Sequence, residues 1–318
     1  MVGDLDRVEM ALRNAVQTDD PLLTEIASHL ILAGGKRVRP GFAIAAAGTA
    51  TATATPASHR VVMGAAAVEL VHLGSLYHDD VMDEALVRRT VPSVNARWGN
   101  LRAILAGDFL LARASEIAAA LGTEVAGLLA ATIGQLCEGE VRQLSFLFEA
   151  DRSEDAYFKA IAGKTASLLA TACRIGGLVA ELPRADTESL TQFGQSYGMA
   201  FQIVDDILDV IATEEQLGKP AGIDLLEGNY TLPVLRALQT AAADELRPLL
   251  GRELDATTLG EVLVLVRESG GVESALSDAR VWADRAESSL AGLPNSVATS
   301  ALRLAADDLL GRVAAVAG

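Results

Sequence analysis

The chain has 318 residues, half of them hydrophobic and 4% aromatic, which is enough to bury a sizeable core. Its 42 acidic and 26 basic residues leave a net charge of −16, which excludes a nucleic-acid binder, since that role demands a basic stripe. The two cysteines, Cys137 and Cys173, make neither metal-ligand spacing nor a disulfide framework, and a reducing compartment, the cytoplasm, is expected.

Alanine and leucine dominate, β-branched alternation is scarce, and helical periodicity runs nearly throughout, so the expected fold is all-α. Length alone would suggest two domains, but no linker rich in Pro, Ser or charge divides the chain, and residues 1–318 read as one. Residues 1–33 predict two amphipathic helices broken at Asp19-Asp20-Pro21, where Asp caps and Pro opens the second helix. Asp4, Asp6 and Glu9 interrupt the first turns, so no signal peptide is read there. Residues 34–40 form a turn carrying Lys36, Arg37 and Arg39. Residues 40–58 are uncharged over 19 positions, the length of a bilayer span. Their Ala, Gly and Thr, with Pro at both flanks, predict instead a packed helix and a loop over 49–58. A long apolar helix is expected over 59–84, then a loop holding Arg88, Arg89 and Pro92. Further helices are expected over 103–121, 124–149, 155–180 and 187–213, a loop over 218–229, and motif-free helix beyond.

Two aspartate clusters share one pattern, Asp79-Asp80-Val81-Met82-Asp83 and Asp205-Asp206-Ile207-Leu208-Asp209, 126 positions apart. A helix turns by about 100° per residue, so the three carboxylates of each cluster share one narrow face. Like charges so placed cost helix stability. One such cluster alone reads as readily as a solvated acidic face. Here apolar residues lead into the first (Val68, Leu70, Val71, Leu73, Leu76) and enclose the second (Ile203, Val204, Ile207, Leu208, Val210), and buried charge needs a cation or a partner. Asp79, Asp80, Asp83, Asp205, Asp206 and Asp209 therefore read as a metal site. Oxygen donors of this kind suit Mg²⁺, completed by waters and a substrate phosphate. The flanks do not align, and no internal repeat is read.

An acidic chain that binds an anion must supply local positive charge. Only four of the basic residues are Lys, and three of these, Lys36, Lys164 and Lys219, each follow a glycine. A compact ammonium beside a glycine suits phosphate oxygens, although ordinary surface placement explains any one of them. Arg88 and Arg89 follow Asp83 closely and suit bidentate contact with a phosphate, or else a solvated helix end. His72 lies two turns before Asp79 on nearly the same face and is a candidate phosphate donor; His78 points away and carries no assigned role.

Together these residues resemble the trans-isoprenyl diphosphate synthases, or polyprenyl synthetases. The matching segments run in the family's order from about 34 to 233: Gly34-Gly35-Lys36-Arg37-Val38-Arg39-Pro40, His78 through Asp83, Arg88-Arg89, Pro92-Ser93-Val94-Asn95, Trp98-Gly99-Asn100 and Ala106-Gly107-Asp108-Phe109-Leu110. Gly163-Lys164-Thr165, Gln202 with the second cluster, Gly218-Lys219, Asp224-Leu225 and Thr231-Leu232-Pro233 complete the set. Thr90 stands where many members have Gly, Asn229 where some have Lys, and the C-terminus lacks the basic tail of some relatives.

The resemblance implies a single-domain bundle of long, mostly antiparallel helices around a central active-site cavity. It implies Mg²⁺-dependent head-to-tail condensation of isopentenyl diphosphate with an allylic diphosphate, with three ions once diphosphate is bound. Asp79, Asp83 and Asp205 are the implied direct ligands, and Asp80, Asp206 and Asp209 support them. Arg88, Lys164, Thr165, Gln202 and Lys219 are implied for the allylic diphosphate and its cation. Lys36, Arg39, His72 and Arg89 are implied for isopentenyl diphosphate. Residues 218–229 are implied as a lid, released diphosphate as the final base, and a homodimer as the assembly, with peripheral membrane contact for product release.

In this family the product is expected to run between helices below the first cluster. Ser75 lies one turn, about 6 Å, below Asp79, with Gly74 beside it and only Val71, Val68, Ala65 and Gly64 further down. That small wall predicts a long-chain product of about C30–C50; alternatively, Gly74 and Ser75 permit helix packing and another helix forms the floor. The competing readings are a geranylgeranyl diphosphate synthase and a partner subunit of a heteromeric synthase. A terpene cyclase is disfavoured by the second cluster and by the Lys36-Arg39 turn.

Overall fold

The structure, a computed structural model, describes residues 2–51, 55–217 and 221–317. In chain order the helices are α1 (Val2–Ala15), α2 (Pro21–Leu32), α3 (Val38–Ala47), α4 (His59–Met82), α5 (Val94–Trp98), α6 (Asn100–Leu121), α7 (Thr123–Leu144), α8 (Glu154–Ile161) and α9 (Ser167–Val179). Then come α10 (Arg184–Ile211), α11 (Glu214–Leu217), α12 (Ile223–Leu226), α13 (Leu232–Ala237), α14 (Ala243–Leu246), α15 (Ala256–Glu268), α16 (Gly271–Ser289) and α17 (Val297–Ala317). The fold is all-α. Two strands of two residues each, β1 (Val87–Arg88) and β2 (Val91–Pro92), interrupt it.

Contacts divide the chain into two compact units. The first comprises Met1–Ile133, Leu168–Thr191 and Gly292–Leu302. In it Asp20 caps α2, accepting the N–H groups of Leu22 and Leu23 at 2.8 and 3.1 Å, and Pro21 opens the helix as expected. Helix α3 is only ten residues long and runs into a short 3₁₀ turn, Gly48–Ala50, so the uncharged stretch makes no bilayer-length helix. Helix α4 is long and apolar enough to cross a membrane, but 72% of its most apolar stretch is buried in the protein, as in a core helix. Tyr77 ties α4 to α2 by donating to Ile26 O at 2.7 Å. Against α6 the approach is close: a Cβ on Gly74 would lie 3.1 Å from Gly107 O.

Residues 87–92 depart from the expected loop. They form an antiparallel hairpin with Val87 opposite Pro92 and Arg88 opposite Val91. Its two-residue turn is Arg89-Thr90, at φ 51° and 66°, both in the left-handed region that a type I′ turn requires.

The second unit comprises Gly134–Ser167, Gln192–Ala291 and Arg303–Gly318. Tyr157, Phe193 and Tyr230 are among its largest buried side chains. Arg236 joins α13 to α8 and α16 through Glu154 and Asp278, at 2.7 and 2.8 Å. The single helix expected over 155–180 is broken by a π-turn, Ala162–Ala166. Gly163 packs there so closely that a Cβ would lie 2.7 Å from Gln135 O. The expected 124–149 helix stops at Leu144, and the 218–229 loop contains the short helix α12.

Candidate active site

In the first unit the acidic cluster closes α4. Asp80 is fully buried, and Arg88 Nε donates to its Oδ1 at 2.6 Å. Burial pushes the Asp80 carboxyl up, opposed by the Arg88 guanidinium. Its Oδ2 is buried with no hydrogen-bond partner among the described residues. Asp79 is half-buried and Asp83 exposed, one turn apart, with Asp83 N–H donating to Asp79 O at 2.8 Å. Asn95 Nδ2 secures the helix end by donating to Asp80 O and Ala85 O at 2.9 and 3.1 Å.

Beside this cluster the structure gathers positive charge. Arg37, Arg39, Arg88 and Arg89 all bear on His72, and burial together with these cations holds its imidazole well below the ordinary value. His72 is therefore neutral and offers an N–H rather than a charge. Arg89 Nη1 donates to Leu30 O at 3.1 Å and to Gly34 O. A Cβ on Gly35 would lie 2.9 Å from Arg89 Nη1 and 3.2 Å from Arg37 Nη1, so glycine lets both guanidinium groups reach the backbone. Burial lowers the Arg39 pKa, and its Nε has no hydrogen-bond partner among the described residues. Lys36 lies exposed on the same turn.

Glu69 is the residue that sequence reasoning missed here. It is 2% exposed and accepts Arg37 Nη1 at 2.9 Å, while Arg37 also pairs with Glu9. A glutamate inside the apolar run Val68-Glu69-Leu70 was the available signal, because it must find a cation.

Of the two proposed length-determining residues, Gly74 faces Gly107 and Leu111 of α6. Ser75 is half-buried and its hydroxyl donates to His72 O at 2.9 Å. His78 Nε2 lies 3.2 Å from Ile104 O and 3.4 Å from Asp108, away from the acidic face as expected.

The second unit repeats the pattern with different partners. Asp206 is 2% exposed, receiving Tyr157 OH on Oδ2 at 2.5 Å and Gln202 Nε2 on Oδ1 at 2.8 Å. Burial pushes this carboxyl up to about 7, opposed by those two hydrogen bonds. Thr165 Oγ1 donates to Gln202 Oε1 at 2.7 Å, so the π-turn delivers Thr165 to the same network. Lys164, on that turn, pairs with Glu140 at 2.7 Å. Asp209 is buried; its Oδ2 accepts Asp224 N–H at 3.2 Å and its carbonyl accepts Gly222 N–H at 2.9 Å. Asp205 is exposed, and Arg312 Nη2 of α17 lies 3.8 Å from it. Lys219 lies outside the described residues.

Among the described residues, no three His, Cys, Asp or Glu side chains form a ready-made metal cage. The donors nevertheless fit a hard divalent ion. They are carboxylate oxygens, one of them buried without a hydrogen-bond partner, and Mg²⁺ binds through few carboxylates with waters and substrate phosphate.

Comparison with known proteins bears directly on this chemistry. The family model described as Polyprenyl synthetase matches residues 20–264. Heptaprenyl diphosphate synthase component 2 of Geobacillus stearothermophilus is 41% identical over 301 residues, 94% of this chain and 93% of that protein. A decaprenyl diphosphate synthase from Rhodobacter capsulatus superposes with a TM-score of 0.90 at 34% identity, covering 98% and 97% of the two chains. A geranylgeranyl pyrophosphate synthase from Corynebacterium glutamicum, solved with calcium and isoprenyl diphosphate, gives 0.86 at 40% identity over 98% and 96%.

Proposed function

This chain belongs to the polyprenyl synthetase family and is a prenyltransferase, and from that premise we propose that it condenses isopentenyl diphosphate head-to-tail onto an allylic diphosphate to make a long all-trans chain. The observation that carries the reading is the parallel construction of the two clusters. In each, the second aspartate is buried and held by protein donors, Asp80 by Arg88 and Asp206 by Tyr157 and Gln202, while Asp83 and Asp205 are exposed and Asp79 is half-buried.

Asp79, Asp83 and Asp205 would hold Mg²⁺, three ions in the diphosphate-bound state, with Asp80, Asp206 and Asp209 completing or supporting the set. When bound, the metal supplies Lewis-acid neutralisation of the charge developing on the departing diphosphate. Arg88, Lys164 and Lys219 would add positive charge on the allylic side, and Thr165 and Gln202 would offer oxygens to the allylic cation. Lys36, Arg39, Arg89 and neutral His72 bind the isopentenyl diphosphate. The buried Arg39 Nε without a partner is a donor suited to that anion. Residues 218–229, of which 218–220 lie outside the described residues, would exclude water as a lid.

The long-chain assignment rests on the small side chain at Ser75 and on the heptaprenyl and decaprenyl relatives. A geranylgeranyl product is the second reading, favoured by the 40% identity to the Corynebacterium glutamicum enzyme. The proposal includes a cytoplasmic homodimer with residues 1–318 as one catalytic domain. Exposed Leu101, Ile104 and Leu105 on α6 support a second copy. The relative named component 2 favours a heteromeric partner instead.

Steady-state turnover of Asp79→Asn and Asp205→Asn tests the roles. Each should lose about 10²–10³ in kcat at saturating Mg²⁺, the loss of several kcal/mol of charge stabilisation. Unchanged kcat in either variant would remove that cluster from the reaction.

A further inference from the structure

We propose that Arg152 and Tyr157 are positioning residues that set the metal-binding geometry of the second aspartate cluster, acting through Asp206. The inference rests on the reading of that cluster as a divalent-metal site.

Tyr157 of α8 is 1% exposed, and its hydroxyl lies 2.5 Å from Asp206 Oδ2. With Gln202 on Oδ1, both oxygens of Asp206 are engaged from within the protein. Asp205, the next residue along the helix, is left to point outward. These two hydrogen bonds tie α10 down at Asp206, one residue from Asp205.

Arg152 is the second part of the device. Arg152 is 5% exposed, and its guanidinium lies 5.6 Å from the Tyr157 ring centroid and 5.9 Å from that of Phe146. A buried cation is costly unless its surroundings offset it, and here the Tyr157 and Phe146 ring faces and the Asn229 carbonyl oxygen lie against it. Arg152 Nη1 also donates to Asn229 Oδ1 at 3.0 Å. Asn229 N–H donates to Asp224 O at 2.7 Å, and Asp224 N–H to Asp209 Oδ2 at 3.2 Å. A continuous chain of contacts therefore leaves the cluster at Asp206, passes Tyr157, Arg152, Asn229 and Asp224, and returns at Asp209. Outer partners of this kind orient metal ligands and tune their affinity.

Tyr157→Phe keeps the ring and removes only the hydroxyl. Arg152→Met removes the charge at similar length, and Arg152→Lys keeps it. The probe is Mn²⁺ with inorganic diphosphate, titrated by electron paramagnetic resonance, alongside the Mg²⁺ dependence of kcat and thermal melting without metal. Roughly tenfold weaker Mn²⁺ binding is expected for Tyr157→Phe and Arg152→Met, with Mg²⁺ half-saturation raised in step. Arg152→Lys should recover to within about threefold of wild type, since the buried charge is retained. Should Arg152→Met fail to fold, Tyr157→Phe alone must show the loss. Unaltered Mn²⁺ affinity in Tyr157→Phe, whatever its melting temperature, would overturn the proposal. Wild-type protein that binds no Mn²⁺ with diphosphate would instead overturn the metal-site reading, and this inference with it.

Discussion

Thr90 sits at φ 66°, where a β-branched side chain is strained, and Arg89 precedes it at φ 51°. The turn is held because Arg89 is anchored on the carbonyls of Leu30 and Gly34 and points its charge at the His72 cluster. Position 90 is thus one where Gly is conformationally preferred, in keeping with the Gly that the family resemblance leads one to expect there. Thr90→Gly should stabilise the protein by about 1 kcal/mol in urea unfolding, strain relief exceeding the added chain entropy; a loss of stability would mean that the threonine side chain contributes contacts that outweigh its strain. A second expectation concerns Asp206, whose folded pKa, about 7, lies above its ordinary value of 3.8. Its contribution is fully present below the unfolded pKa and is lost as pH rises through the folded one. The stability of metal-free Asp206→Asn relative to wild type should therefore improve between pH 5 and pH 8; a flat or opposite trend would contradict burial as the cause. The aspartates were legible because their helical spacing is local. The Glu69–Arg37 pair was only half legible: a Glu inside the apolar run Val68-Glu69-Leu70 signals the need for a cation, but Arg37 lies 32 positions away.

Helix α4 carries different tasks on different faces, which explains why its sequence has almost no polar stripe. Tyr77 meets α2, Gly74 and His78 meet α6, and Glu69 meets Arg37 at the N-terminus of α3. Ser75 lies on the side of Asp79 and His72, and Gly74 does not, so the two candidate length determinants separate. Ser75→Phe should shorten the product without large loss of stability. Gly74→Phe should cost at least about 1–3 kcal/mol, because its Cβ would already crowd a backbone carbonyl of α6. Product sizing and melting of both variants check this; an unchanged product in Ser75→Phe would remove it from the channel. The long helices were readable from periodicity and, at Asp20-Pro21, from the cap; the Ser58 cap of α4 was not read. The hairpin was not, since two-residue strands show no alternation and Arg-Thr is no usual I′ turn sequence. The π-turn was equally hidden: it depends on Gly163 meeting the backbone of Gln135, a contact across elements.

At the scale of the whole molecule, the family and the all-α architecture were legible from the ordered motifs, but assembly is not written in any motif. Leu101 and Leu105 of α6 are 72% and 56% exposed, which is costly for leucines on the outside of a helix unless something covers them. If a second copy does, Leu105→Glu should convert a dimer to a monomer by light scattering with unaltered helix content; a dimer that persists would place the interface elsewhere. The central claim is tested most directly by purified protein with labelled isopentenyl diphosphate and farnesyl or geranylgeranyl diphosphate, with Mg²⁺ or EDTA, and products sized by chromatography. Mg²⁺-dependent all-trans products longer than geranylgeranyl are predicted. Extension that stops at geranylgeranyl would contradict the long-chain assignment, and no turnover by this chain alone with any primer would contradict its acting without a partner subunit.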